Sequence, residues 1–353
     1  MKRQWVLRFA ASLAIGGALL WLTLRSMAAD SGDGLGIAGL WSATVASAKS
    51  VEGRFLWVYA ASFVVVHAAR LFRWVVMVRG ISDAPVGEVV GAGLTGFAAI
   101  VLFPLRLGEF VRPFLLQRRC GVPFSAGLGT AVVERVADGL VITLVLFVSI
   151  LTAPGAASEV VRSAGWVSLA VFVSATVGLG LFAWRRSLAE ALVRATAGRI
   201  SGRLSDGLIG TMETFAAGVR SLHGGGRLLA FVSLTVVYWS ANAVGMWWLA
   251  KGFGFDLPLY AGWGLLGTLV VGLMIPTGPG FLGNFQYFVQ EGLRLYLPGS
   301  SAGAAGLAMG LIQNGLQLLV QVSAALPAAA SMMVEARAGR NSANLHDGTP
   351  RRR

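Results

Sequence analysis

Long apolar runs separated by short breaks that carry arginine organise this 353-residue chain. A helix that crosses a bilayer needs about 20 mostly apolar residues. Six runs are candidates: 9–24, 55–78, 130–151, 165–184, 228–250 and 303–332. The first follows Lys2 and Arg3 and ends near Ser26, Met27 and Ala28, the outline of a signal peptide. Its apolar run is long for a cleaved signal, so an uncleaved first helix is expected.

Two further apolar stretches are broken. Residues 86–105 end in Phe103 and Pro104, followed by the amphipathic 109–116. Residues 257–275 end in Pro276, Thr277, Gly278, Pro279 and Gly280, followed by 285–297. Proline and glycine at this density free backbone groups that lipid cannot satisfy, which is tolerated at membrane depth only inside protein or beside a wet cavity. Both stretches therefore read as re-entrant helical hairpins.

Charge supports this reading. With the N-terminus inside and both hairpins re-entrant, the cytoplasmic side takes Lys2, Arg3, Arg79, Arg118, Arg119, Arg185, Arg186, Arg194, Arg199, Arg203, Arg220, Arg227 and the Arg351–Arg353 end. The outer side keeps Arg25, Lys49, Arg54, Arg162, Lys251 and Arg294. Cytoplasmic excess of Lys and Arg is the usual bias. A full span in place of the first hairpin would move Arg118 and Arg119 outside and invert every later loop.

The same pattern exposes a repeat of helix, hairpin, helix, first over about 55–151 and again over about 228–332, in opposite orientation. Phe103-Pro104 echoes Ile275-Pro276, and Asp138-Gly139-Leu140 echoes Asn314-Gly315-Leu316. Inverted repeats with broken helices are a common transporter architecture. The expected fold is an all-α polytopic membrane protein, one integral domain over 1–335, with about six full transmembrane helices and two opposed re-entrant hairpins. Between the repeats, 187–223 places Ile200, Leu204, Leu208, Met212, Phe215, Val219 and Leu222 on one helical face, which suits a helix in the membrane interface or a connector packed on the bundle. The polar tail 338–353 is expected to be disordered.

Composition agrees: 56% hydrophobic residues, 13% charged and a mean hydropathy of +0.70 belong in a membrane. The net charge of +13 comes from scattered arginines with no aromatic-studded basic face, so nucleic acid is not an expected partner. Cys120 alone excludes an internal disulfide. It reads as an inert juxtamembrane thiol or a palmitoylation site.

The chemistry concentrates between Phe103 and Leu140. Arg106, Glu109, Arg112, Glu134, Arg135 and Asp138 lie in or against apolar segments, where an unpaired charge costs roughly 2.5–3.5 kcal/mol each. On a helix Arg106, Glu109 and Arg112 share a side, as do Glu134 and Asp138. These residues read either as an ion network fixing hairpin to helix or as the floor of a head-group site. Arg70, facing inward, would add the uncompensated positive charge that a phosphate needs. Arg73 either joins it or snorkels to the interface. His67 is a satisfied buried imidazole or a proton relay. In the second hairpin Pro276, Gly278, Pro279, Gly280 and Gly283 force irregular backbone, with Asn284, Gln313 and Asn314 as supporting polar groups. Pro104 and Gly108 have the hinge role in the first. There is no P-loop, nucleophile elbow or metal-ligand cluster, so neither a cofactor nor enzymatic activity is expected.

PLRLGEFVRPFLL, then VVERVADGL, then PTGPGFLGNFQ, resembles the transmembrane region of bacterial lysylphosphatidylglycerol synthases, whose standalone members are flippase-like membrane proteins. The likeness runs over about residues 5–335 and maps onto Arg106, Gly108, Glu109, Arg112, Glu134, Arg135, Asp138, Pro276, Gly278, Pro279, Gly280 and Gly283. It implies lipid translocation in the bacterial inner membrane, with polyprenyl- or hopanoid-linked lipids among the relatives' substrates; the charge cluster adds an anionic or zwitterionic phospholipid, and the arginine distribution puts both termini in the cytoplasm. The soluble aminoacyl-transferase domain of the bifunctional members is not in this sequence, so the expected partners are membrane lipids and a separately encoded lipid-modifying enzyme. The other expectation is a membrane-embedded enzyme or accessory subunit acting on lipid-linked sugars, with Glu109, Glu134 and Asp138 as acid or base. A carrier of small solutes comes third.

Overall fold

A computed structural model describes residues 14–25, 37–103, 108–196, 201–275, 277–297 and 302–347. These form helices joined by short turns, with no strand among the described residues. Five helices are long and apolar enough to cross a membrane: α3 (Gly53–Val78), α6 (Phe124–Thr152), α7 (Glu159–Trp184), α10 (Gly225–Gly252) and α13 (Gly303–Asp347), the last over Gly303–Ser331. They coincide with five of the expected spans. The described part of the sixth is α1 (Ala14–Arg25). Trp57, Leu151, Val167 and Trp184 project outward at 64% exposure or more, an apolar surface suited to lipid rather than water.

Each broken stretch is a pair of short helices. In the first, α4 (Val86–Leu102) packs on α5 (Val111–Cys120), which follows a single tight turn at 108–110. A Cβ on Gly108 would lie 2.1 Å from the Ala99 carbonyl carbon, so only glycine lets the two arms touch at the backbone. In the second, α11 (Ala261–Gly272) packs on α12 (Asn284–Arg294) across the turn Pro279–Phe281. Gly280 and Gly283 there have φ of 70° and 84°, a left-handed conformation nearly free for glycine and costly for other residues. Pro104 and Pro276 lie outside the described residues.

The order helix, broken pair, helix thus occurs twice, and the contacts between the two sets are reciprocal. Helix α3 packs along its counterpart α10, α4 of the first set packs on α13 of the second, and α11 of the second packs on α6 of the first.

Three elements differ from expectation. Ile37–Ser50 forms an unforeseen helix, α2, which lies against α13 through Leu40 and Leu307. The connector is two helices, α8 (Arg186–Thr196) and α9 (Gly202–Val219), and α9 packs on α6. Its buried positions are Ser205, Ile209 and Ala216 while Leu208 is exposed; small residues face the bundle because they let the helix axes close. Finally, α13 continues to Asp347 in place of an irregular tail from Ala338. Once a helix is nucleated each further residue adds a hydrogen bond at little cost. Residues 348–353 lie outside the described residues.

Candidate functional site

Arg73 is the centre of the charged cluster. It sits on the α3 stripe of Tyr59, Phe63, Val66, Arg70 and Met77, which faces the bundle. Its guanidinium is fully buried and donates to both oxygens of Asp138 on α6, at 2.6 and 2.7 Å. It also donates to Glu134 Oε1 at 3.2 Å and to Thr235 Oγ1 of α10 at 3.1 Å. The rings of Phe231 and Tyr238 lie 5.1 Å from it. A paired fork on one carboxylate is the strongest geometry available to arginine, so the snorkelling alternative for Arg73 is overturned. The register of the α3 stripe was the sequence signal that placed it inside.

Glu134 is the second hub. Arg112 of α5 donates to its Oε2 at 2.9 Å, Arg135 donates to its Oε1, and Arg70 Nε approaches to 4.0 Å. Arg135 also lies 3.5 Å from Asp138. Arg112 stacks between Trp74 and Phe97, 4.7 Å from each, and Arg70 lies over Phe97 at 4.0 Å. The Arg112 side chain occupies space that a Cβ on Gly96 would fill, 2.0 Å from Arg112 Cγ. Four guanidiniums therefore surround two carboxylates. With Glu109 counted, the described cluster still has one arginine more than it has carboxylates.

The expected site residues divide into three groups. Arg70, Arg135 and Asp138 line a cavity of about 150 Å³. Arg112 and Glu134 are completely buried and brace its wall from behind. Glu109 lines a larger, apolar groove of about 830 Å³ between the first hairpin and α6, α7 and α11. Glu109 lies in the helical turn 108–110 that leads directly into α5, which carries Arg112. Arg106 lies outside the described residues. Arg135, Phe172 and Met274 border both the cavity and the groove.

The second break is held by side-chain amides. Asn284 Nδ2 donates to the carbonyls of Gly272 (3.0 Å) and Ile275 (3.3 Å), and Asn314 Nδ2 to Gly280 (2.9 Å). Gln286 Oε1 accepts from the Gly283 amide at 2.7 Å. These bonds satisfy backbone groups that the break frees. Asn284 thus supports the loop, and Asn314 both supports it and lines the cavity. Gln313 is fully buried. Phe281, in the same turn, has φ of 56° and presents its residue to the cavity wall. A bulky side chain at positive φ is strained and persists only when its surroundings hold it.

Fold and site together define a multi-pass, all-helical membrane protein with a buried ion network beside an apolar groove. The chain belongs to the lysylphosphatidylglycerol synthase transmembrane region family, whose profile matches residues 9–320. It is also similar to the glycosyltransferase AglD of Haloferax volcanii, 25% identical over 250 residues, which cover 63% of this chain. The chain spans about two-fifths of that relative's length: the matched part is 40% of it. No solved structure matches the chain.

Proposed function

We propose that this protein translocates a phosphate-bearing lipid, with the head group in the cavity and the acyl or prenyl chains along the groove. One observation carries the reading: a charged cavity and an apolar groove share the border residues Arg135, Phe172 and Met274. Surplus arginine at Arg70 and Arg135 matches the negative charge of a phosphodiester, and the guanidinium fork suits its oxygens. Arg73 and Arg112, both fully buried and bonded to carboxylate, hold the scaffold. Family membership supports lipid as the substrate. The chain would lie in the bacterial inner membrane with both termini cytoplasmic and the two sets of elements inverted, an arrangement that the arginine distribution and the reciprocal packing support. No ATP-binding motif accompanies the site, so movement runs downhill or on an ion gradient. The test is reconstitution in liposomes with acyl-labelled phospholipid and a membrane-impermeant quencher. The protein should expose inner-leaflet lipid to the quencher, and Arg135→Gln should slow this at least tenfold. Liposomes as slow with protein as without it would reject translocation.

A second reading, an enzyme or accessory subunit acting on lipid-linked sugars, is favoured by the similarity to AglD. Against it, both oxygens of Glu134 and of Asp138 already accept hydrogen bonds from arginines, which leaves neither carboxylate free to face a substrate.

A further inference from the structure

Besides its arginines, the cavity is lined by polar groups of different chemistry. His67 of α3 and Trp239 and Asn242 of α10 line it and are all more than nine-tenths buried. Their polar atoms His67 Nε2, Trp239 Nε1 and Asn242 Oδ1 have no hydrogen-bond partner within the protein. Arg70 Nε and Arg135 Nε, which line the same cavity, likewise make no hydrogen bond. Buried polar groups in proteins nearly always have partners, and each exception calls for an explanation such as a ligand.

Trp239 and Asn242 are three apart on one helix, so they stand on the same side of it. An indole N–H can only donate, and Asn242 Oδ1 can only accept. A hydroxyl does both, so one polyol satisfies the pair. An ammonium donates only and leaves the indole unmatched. It also meets two arginines, and the nearest carboxylate, Asp138, is already taken by the Arg73 fork. A bare phosphate accepts only and leaves Asn242 unmatched. The cavity is small, about 150 Å³, which suits a compact head group.

We infer that the cavity selects a lipid phosphate bearing a small polyol, glycerol or a single sugar, over amine or aminoacylated head groups. This rests on the head-group reading above, with Trp239 and Asn242 as the residues that set specificity. The experiment measures binding, so it does not depend on transport. Purified full-length protein in detergent is titrated with dihexanoyl phosphatidylglycerol, phosphatidic acid, phosphatidylethanolamine and lysyl-phosphatidylglycerol, and with a short-chain monohexosyl prenyl phosphate, reading thermal stabilisation. Phosphatidylglycerol or the hexosyl phosphate should bind at least fivefold tighter than phosphatidic acid and the two amine lipids, and whichever is tighter identifies glycerol or sugar. In Asn242→Leu and Trp239→Phe that ratio should fall to near one. Equal affinity of the wild type for phosphatidylglycerol, the hexosyl phosphate and phosphatidic acid overturns the inference, as does tightest binding of lysyl-phosphatidylglycerol. Selective binding without lipid movement in liposomes leaves the inference standing and removes translocation alone.

Discussion

Arg73 and Asp138, 65 positions apart in the chain, are joined by two hydrogen bonds of 2.6 and 2.7 Å with the guanidinium wholly out of solvent. This one pair ties the first long helix of the bundle to α6. Desolvating both ions costs much of what their attraction returns, so the pair gives little net stability. Its loss on one side only is expensive, about 3–5 kcal/mol, because a buried charge is left alone. Asp138→Asn should therefore lower the melting temperature in detergent markedly. The double variant Arg73→Gln with Asp138→Asn should recover most of the loss. A single variant as stable as wild type would show that water reaches the pair.

Gly96 and Gly108 should be the least replaceable small residues of the first hairpin. A Cβ on Gly108 meets backbone, which cannot rotate away, and a Cβ on Gly96 meets Arg112. Overpacking costs about 1–3 kcal/mol or more. Gly108→Ala should cut folded yield, and Gly96→Ala should displace Arg112 from Glu134. Gly178→Ala, on α7 with no atom near its Cβ, is the control and should be neutral or slightly stabilising.

Topology is open to cysteine labelling. Cys120, at the end of α5, should react with an impermeant maleimide only after permeabilisation, whereas Gly32→Cys and Gly299→Cys in a Cys120→Ser background should react in intact cells. Partial burial, reinforced by the Glu88 carboxylate and opposed by Arg119, pushes the Cys120 thiol above its ordinary range. The thiolate is the reactive form, so labelling should be slow at neutral pH and accelerate as pH rises. External labelling of Cys120 would rule out a re-entrant first hairpin.

Much of this architecture was legible in the pattern of apolar runs. The spans at 55–78, 130–151, 165–184, 228–250 and 303–332 recur as helices because twenty apolar residues in a row have few other stable states. The breaks at 103–104 and 276–280 were legible for the same reason in reverse. The partners of Glu134 and Asp138 were harder to foresee. Their spacing puts them on one face of α6, but their pairing with Arg73 and Arg112 depends on how α3, α5 and α6 cross. The α9 face was off by one residue because apolar periodicity finds the large side chains, and small ones made the contact. The cavity wall of Trp239 and Asn242 had no sequence signal, since both read as ordinary residues of an apolar span.

The four arginines should separate by replacement with glutamine and with lysine. Arg112 is completely buried, bonded to Glu134 and stacked between two aromatic rings, so Arg112→Gln should destabilise the fold and lose transport only through loss of folded protein. Arg135 is about one-quarter exposed at its side chain, and Arg70 about one-eighth. Each leaves Glu134 with other partners when removed, so their glutamine variants should fold with at most a modest loss. Their defect should instead appear in lipid movement, about tenfold or more for each. Lysine keeps the charge and loses the planar fork, so Arg135→Lys should restore stability fully and transport only in part. Lipid movement at the wild-type rate in a folded Arg70→Gln, Arg135→Gln double variant would show that the whole cluster is scaffold and that the head group binds elsewhere.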